Sequence, residues 1–237
     1  MRKAVMAGTA ALLLCLSGIL SEAQTMNTAL SNKQRAIAPI AAFAASGHIP
    51  DLKTALHDGL EAGLTVNEIK ELLVQLYAYA GFPRSLNAMG AFQEVLGERE
   101  AKGVRDEPGK EAGPVPAEKT SLERGTEVQT TLTGAPVKGG LMDFAPAIDE
   151  FLKAHLFGDI FVRDNLDWQS REIATVSALA NMDGVESQLR SHCRISRNVG
   201  LTAEQMKALA GVLRAKVDDS AGKKVDVILE EERERQP

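Results

Sequence analysis

The apolar residues of this chain recur at the spacing of α-helices. After Thr65 they follow the i, i+3, i+4, i+7 pattern that places side chains on one helix face, at Ile69, Leu72, Leu73 and Leu76. The same spacing returns later in the chain, at Met206, Leu209 and Leu213. No stretch alternates convincingly with the two-residue period of a half-buried strand. The pattern therefore predicts an all-α protein.

Two stretches of this helical pattern, residues 33–76 and 170–213, can be superimposed without a gap at a constant offset of 137. Only nine of the 44 aligned pairs are identical, but several of them stand where helices are expected to end or begin. Gly63 and Gly200 occupy positions where a left-handed residue would end a helix. The chain is therefore predicted to be a tandem repeat.

A second helix is predicted to start directly after each of these glycines. Thr65 and Thr202 are suitable N-cap residues, because their hydroxyls can accept hydrogen bonds from the first turn. Glu68 and Gln205 follow three residues later and complete a capping box in both copies. Each repeat is thus predicted to be a helix, a glycine stop, a threonine start and a second helix.

Composition divides the rest of the chain. Residues 98–119 include 11 charged residues of 22, so we predict a linker over 98–140 that separates a first repeat (24–97) from a second (141–237). A short helix is predicted to start at Thr120, which opens another capping box. An amphipathic helix is predicted over 144–156, and a fraying, solvated end over 230–237.

The first 23 residues have the pattern of a secretory signal peptide. Arg2 and Lys3 precede an apolar run over 4–20, and Ser21-Glu22-Ala23 offers a small-x-small cleavage site. A membrane anchor is the disfavoured alternative, because the run is short for a span and no stop-transfer charges follow it. We therefore predict a periplasmic or secreted protein with no membrane contact after cleavage.

Charge and cysteine content narrow the possible functions. Removing residues 1–23 takes the formal net charge from −5 to −6, which disfavours a nucleic-acid partner. The mature chain would keep a single cysteine, Cys193, so it can form no intramolecular disulfide.

Two segments, residues 63–88 and 157–206, resemble the carboxymuconolactone decarboxylase family in a tandem-domain form. The most specific strings are Tyr79-Ala80-Gly81-Phe82-Pro83 and the combination of Arg171-Glu172, Gln188-Leu189-Arg190-Ser191-His192 and Asn198-Val199-Gly200. The resemblance implies an all-α fold of antiparallel helical hairpins, assembled as a homo-oligomer such as a trimer or hexamer. The decarboxylases of this family need no cofactor.

The resemblance leaves two chemistries open. The decarboxylase branch protonates an unsaturated lactone carboxylate as carbon dioxide leaves, which requires an acid and a way to hold the anion. The alkylhydroperoxidase D-type branch uses a Cys-x-x-Cys pair, and this chain has none. Cys193 is interpreted as a small buried thiol, with antioxidant action through an external thiol as a minor alternative.

His192 and Glu172 correspond to the family's histidine and acid, and we take them as candidate catalytic residues. A separation of twenty residues can bring them together across a hairpin, where a carboxylate-oriented imidazole can act as a general acid. The structural alternative is that Glu172 pairs with Arg171 or Arg190 at the surface while His192 only caps or packs.

The first repeat lacks this pair, since Arg35 and Ala55 occupy the equivalent positions. It has instead Glu71 and Tyr79, where the second repeat has alanine and lysine. We therefore propose Glu71 and Tyr79 as substrate-binding residues in a composite cleft between repeats of one subunit or of neighbours. The alternative for the tyrosine is helix packing.

Arg163 and Arg190 are candidates for holding a substrate carboxylate, because a guanidinium matches a carboxylate bidentately. Either can equally belong to a structural ion pair. His57 lies one helical turn from Glu61, but such a pair is too common to indicate a metal site, and none is predicted.

Two functional classes remain after this reading. The first is a cofactor-free lyase that uses acid–base chemistry on a small carboxylate or lactone. The predicted export disfavours literal carboxymuconolactone decarboxylation, because aromatic-ring catabolism produces that class of intermediate in the cytoplasm. The second is a non-catalytic or accessory oligomeric binding protein with the same fold.

Overall fold

A computed structural model describes residues 30–115 and 117–234. Over these residues the chain forms eleven α-helices, one π-helical segment and no strand, so the predicted all-α class is confirmed. The helices are α1 (Asn32–Ser46), α2 (Ile49–Glu61), α3 (Val66–Ala80), α4 (Phe82–Ala101), α5 (Ser121–Thr133), α6 (Leu141–Phe144), α7 (Pro146–Phe151), the π-helix (Leu152–Ile160), α8 (Trp168–Ala180), α9 (Glu186–Asn198), α10 (Ala203–Lys216) and α11 (Asp219–Glu234).

The tandem repeat extends further than the sequence overlay. Helices α2 and α9 start and end at residues separated by the same offset of 137. The starts of α3 and α10, and those of α4 and α11, are separated by this offset as well. Each repeat therefore contains four helices, with α1 to α4 in the first and α8 to α11 in the second.

The helix boundaries follow the predicted local chemistry. Gly63 and Gly200 have φ angles of 91° and 96°, which side chains with a Cβ rarely adopt. Thr65 and Thr202 both form complete capping boxes with the residues three positions later. The predicted stops and starts inside each repeat are thus confirmed.

The two repeats share one hydrophobic core. Its centre is the alanine-rich pair α1 and α8, in which residues 36–45 and 170–180 are buried throughout. Small side chains let the two backbones approach, and Asn181 Nδ2 donates to the Ala42 carbonyl at 3.1 Å. This packing fixes α8, and with it Glu172, against the first repeat.

The charged segment between the repeats docks onto α3. Its carbonyl groups at Glu107 and Pro108 accept hydrogen bonds from the backbone N–H groups of Val66 and Asn67, at 3.0 and 2.9 Å. These N–H groups have no partner within their own helix, so the segment caps α3 from outside. The capping box predicted at Thr120 is present and opens α5.

The helix predicted over 144–156 is only partly correct, because the segment is helical from Pro146 onward but is not one α-helix. Helix α6 ends at Phe144, and Ala145 adopts φ −132° and ψ 73° before the chain re-enters a helix. The following residue is Pro146, whose ring disfavours a helical conformation of the residue before it. Helix α7 then continues into the π-helix, which packs against α5.

Glycines allow α5 and the π-helix to make backbone contact. A Cβ on Gly125 would lie 1.7 Å from the Lys153 carbonyl oxygen, and one on Gly158 would lie 2.0 Å from that of Ser121.

We expect Gly125→Ala to lower the free energy of unfolding by about 1–3 kcal/mol through overpacking. Exposed Gly90 in α4 has no atom within 4 Å of such a Cβ, so Gly90→Ala should instead stabilise by up to about 1 kcal/mol. Urea denaturation of both variants checks this, and a Gly125→Ala variant as stable as Gly90→Ala would contradict it.

The C-terminal end is less solvated than predicted. Helix α11 continues to Glu234, and the Glu232 side chain is only 9% exposed where it meets Arg197 of α9. The predicted signal peptide over 1–23 and the last three residues lie outside the described residues. None of the described helices is both long and apolar enough to cross a membrane.

Candidate functional site

Glu172 of α8 and His192 of α9 form a buried hydrogen-bonded pair. Glu172 Oε2 lies 2.8 Å from His192 Nδ1, and the two residues are 0% and 7% exposed. An ionised carboxylate can only accept, so Nδ1 carries the hydrogen and Nε2 is the basic nitrogen of the neutral ring. Nε2 makes no hydrogen bond within the described chain. The pair therefore presents one imidazole nitrogen that can give or take a proton.

The two helices hold this pair by ordinary local chemistry. Helix α8 starts at the N-cap Asp167, whose side chain accepts from the Ser170 backbone N–H at 2.8 Å. The surface pairing considered for Glu172 is wrong, because packing of α8 between its neighbours buries this carboxylate completely. Its neighbour Arg171 and the more distant Arg190 both pair with other carboxylates.

Tyr79 of the first repeat packs against this histidine within one chain. The two ring centroids are 5.4 Å apart, and the rings meet edge to face at 79°. The tyrosine ring is partly exposed, but its hydroxyl oxygen is buried and has no hydrogen bond of acceptable geometry. Burial and the charge of Glu172 raise the pKa of Tyr79 well above its usual value, so the phenol stays protonated. Glu172 Oε1 is likewise buried without a partner, which leaves two unsatisfied polar atoms beside the pair.

Glu71 lies deeper, between two arginines of the second half of the chain. Arg163 Nε donates to both of its carboxylate oxygens at 2.9 Å, and Arg171 Nη2 donates to Oε1 at 2.8 Å. Glu71 is 1% exposed, so it fixes these arginines in place. The Arg163 side chain is 37% exposed, and its terminal nitrogens make no hydrogen bond within the described chain. Of this group, Arg163 is the one available to a ligand.

Gln75, Arg171 and Thr175 complete this network, and the sequence pattern predicted this role for none of them. Arg171 Nη1 donates to Gln75 Oε1 at 3.0 Å, while Gln75 Nε2 donates to the Arg171 carbonyl and to Thr175 Oγ1. A signal was available, because Glu71, Gln75 and Tyr79 follow one another at four-residue spacing along the buried side of α3. Arg171 and Thr175 have the same spacing on α8, which faces α3.

Arg190 is not part of the His192 site. It is two positions from the histidine on α9, a rotation of about 200°, and it pairs with Glu231 of α11. It lines a cleft of about 910 Å³ whose lining includes neither Glu172 nor His192. Of the two candidate arginines, the structure thus places only Arg163 with the network that adjoins the pair. Among the described residues, no three His, Cys, Asp or Glu side chains are grouped as metal ligands.

Cys193 is fully buried beside His192 in sequence, but it does not face the same way. Burial, followed by the charges of Glu232 and Glu172, raises the pKa of its thiol to about 12.

Because only the thiolate is nucleophilic, we expect the native protein not to react with a disulfide reagent such as DTNB at mildly alkaline pH. The same reagent should titrate one thiol in mature protein unfolded in concentrated urea. Rapid reaction of the native protein would return weight to thiol chemistry.

Comparison with known proteins assigns the chain to a family. The model of the carboxymuconolactone decarboxylase family matches residues 16–94 and 146–221. The chain belongs to the carboxymuconolactone decarboxylase family. Each of the two matched regions overlaps one of the two repeats, as expected for a tandem form. The first match begins at residue 16, inside the predicted signal peptide. A search of curated proteins returns no match.

Both members of the buried pair lie within the second matched region, and Tyr79 lies within the first. Membership in the carboxymuconolactone decarboxylase family is compatible with a decarboxylase-like or an alkylhydroperoxidase-like role. Family membership alone therefore does not decide the chemistry, which depends on the residues of this chain.

Proposed function

We propose that this protein is a cofactor-free lyase that acts on a small carboxylate or lactone by proton transfer at His192. The observation that carries the proposal is the buried hydrogen bond between Glu172 Oε2 and His192 Nδ1. This bond fixes the ring orientation and leaves Nε2 as the working nitrogen. The ring can pass a proton through Nε2 while Nδ1 stays bonded to Glu172, which is what a general acid requires.

The proposed step is a decarboxylation that is coupled to protonation. The bond between the substrate carbon and its carboxylate breaks, and its electron pair passes into the adjoining unsaturated system. The carbon that receives this pair takes the proton from His192 Nε2, while carbon dioxide leaves. Solvent returns a proton to the imidazole, so the cycle needs no oxidant or reductant.

The substrate anion is proposed to meet Arg163 and Tyr79. The terminal nitrogens of Arg163 are free to form a bidentate pair, and Glu71 holds this guanidinium in place through Nε. The Tyr79 hydroxyl is buried and protonated beside the histidine, and we propose that it donates to an oxygen of the substrate. These contacts supply the orientation that acid catalysis requires.

The direct test is proton and carbon NMR of the purified protein with a panel of unsaturated lactone and keto carboxylates. We expect loss of one substrate and appearance of a product with one carboxylate fewer, with deuterium at the protonated carbon in heavy water. A folded protein that turns over no compound in the panel would support the accessory binding reading. Turnover that is unchanged by a substitution at His192 would exclude the proposed mechanism.

The thiol-dependent alternative has less support. Its nucleophile would be Cys193, whose side chain is buried and whose raised pKa suppresses the thiolate. The predicted export of the chain remains part of the proposal, so the substrate is expected to be a small acid that is present outside the cytoplasm.

We also propose that the protein is a homo-oligomer that assembles through exposed apolar side chains of α6 and α7. Four apolar side chains of this segment are 51–86% exposed, namely Leu141, Phe144, Ile148 and Phe151. Several large exposed apolar side chains within eleven residues are typical of an interaction site. We expect the Phe144→Glu/Phe151→Glu double variant to be monomeric by sedimentation velocity, where the wild-type protein is oligomeric. Val227→Glu, at another exposed apolar position, is the matched control, and a monomeric wild-type protein would contradict the proposal.

A further inference from the structure

The cleft that Arg190 lines is on the face of α9 that points away from Glu172 and His192. Arg190, Arg194 and Arg197 follow one another at i, i+4 and i+7, so they share this face and line the cleft together. Thr133 at the end of α5, residues 135–137 of the loop after it, and Glu232 of α11 also line it. Its volume of about 910 Å³ is in the range of small-molecule sites. The cleft is therefore large enough for a ligand and separate from the proposed catalytic pair.

The three arginines do not have the same partners. Arg190 bonds to Glu231, and Arg197 Nη1 lies 3.5 Å from Glu232 Oε2. Arg194 has no carboxylate partner, and within the described chain its one hydrogen bond is to Ser191 Oγ at 3.4 Å. The cleft thus contains a positive charge that no neighbouring side chain neutralises, in a chain with a formal net charge of −5.

Glu232 supplies a second unsatisfied group in the same cleft. Its side chain is more than nine-tenths buried, and its Oε1 has no hydrogen-bond partner within the described residues. A buried acceptor without a donor is unfavourable, so a donor on a ligand would gain a hydrogen bond that the empty site lacks. The side chains of Val137 and Ile195 add apolar surface to the lining of the same cleft.

We infer that this cleft binds a small carboxylate with an apolar body and a hydrogen-bond donor, the chemistry of an amino acid with an apolar side chain. Arg194 receives the carboxylate, because its guanidinium can bond it bidentately. Glu232 Oε1 receives the donor, and the apolar body lies against Val137 and Ile195. The inference does not depend on catalysis at His192, since the two sites use opposite faces of α9.

Methyl NMR of the full protein tests this assignment, with the Val137 and Ile195 signals as local probes. L-phenylalanine supplies all three features, 3-phenylpropionate lacks the donor, 2-phenylethylamine lacks the carboxylate, and inorganic phosphate lacks the apolar body. We expect L-phenylalanine to shift both signals to saturation. The other three compounds should bind about tenfold or more weakly, since each loses a hydrogen bond to a charged group or the apolar contact.

Matched variants separate this site from the proposed catalytic one. Arg194→Gln should weaken L-phenylalanine binding by about tenfold or more, while Glu232→Gln should weaken L-phenylalanine but not 3-phenylpropionate. Arg214→Gln, at an arginine of α10 that pairs with Asp226, should leave binding unchanged. Binding should also persist in His192→Gln. Equal affinity in Arg194→Gln, or phosphate binding as tightly as L-phenylalanine, would overturn the inference.

Discussion

Replacing Glu71 with alanine is expected to lower the free energy of unfolding by about 3–5 kcal/mol. The substitution leaves the guanidinium of Arg171, which is 0% exposed, without its carboxylate partner. Burial already lowers the pKa of Arg171, against the opposing effect of Glu71, but arginine still keeps its proton. The remaining partners, Gln75 and the Arg163 carbonyl, are neutral acceptors that cannot replace a charge.

Urea denaturation measures this effect, and two further variants define its cause. Glu71→Ala combined with Arg171→Met removes both charges, so the double variant should recover much of the lost stability. Glu127→Ala removes one side of the exposed pair with Lys119 and should cost at most about 1 kcal/mol. A Glu71→Ala variant as stable as Glu127→Ala would show that Glu71 does not stabilise the Arg171 charge.

The repeat could be predicted from the sequence because its determinants are local. A glycine at positive φ and a threonine three residues before Glu or Gln specify a helix end and a helix start without help from distant residues. The structure extends the repeat to four helices, although the last pair has too few identities to be aligned by eye. The helix stops and starts inside each repeat, which depend on neighbouring residues in the chain, were therefore predicted correctly.

The role of Glu71 could not be predicted in the same way. Its partners Arg163 and Arg171 are 92 and 100 residues away, and only the packing of α3 against α8 brings them together. The sequence predicted a ligand contact for Glu71, whereas the structure places its oxygens in ion pairs. Resemblance to a family gave Glu172 and His192, but periodicity alone could not have distinguished that pair from surface residues.

The π-helix was also beyond sequence reasoning. Pro146 predicts an interruption, but no sequence pattern in residues 152–160 predicts a π-helix. Its position follows from the close contacts of Gly125 and Gly158 across to α5, which are long-range packing. The placement of Arg190 could have been anticipated, because a residue two positions from His192 on a helix points to the other side.

The largest functional effect is expected from His192→Gln, which should lower kcat by about 10² to 10⁴ on any substrate that the wild-type protein turns over. The glutamine amide can still donate to Glu172 Oε2, so the buried carboxylate keeps a partner and the helices keep their packing. It cannot carry a proton between substrate and solvent. The loss should therefore appear in kcat, with KM nearly unchanged, because Arg163 and Tyr79 remain to bind the anion.

Two controls separate proton transfer from a merely structural role of this pair. His57→Ala removes a histidine that lies 3.5 Å from Glu98 at the surface, and it should leave kcat unchanged. Glu172→Gln keeps a hydrogen bond to His192 but removes the carboxylate charge beside the imidazole, so the kcat loss should be smaller than in His192→Gln. A His192→Gln variant with the wild-type melting temperature and full activity would exclude the imidazole as the acid. A raised KM and a lowered melting temperature with unchanged kcat would instead show that His192 only supports the fold.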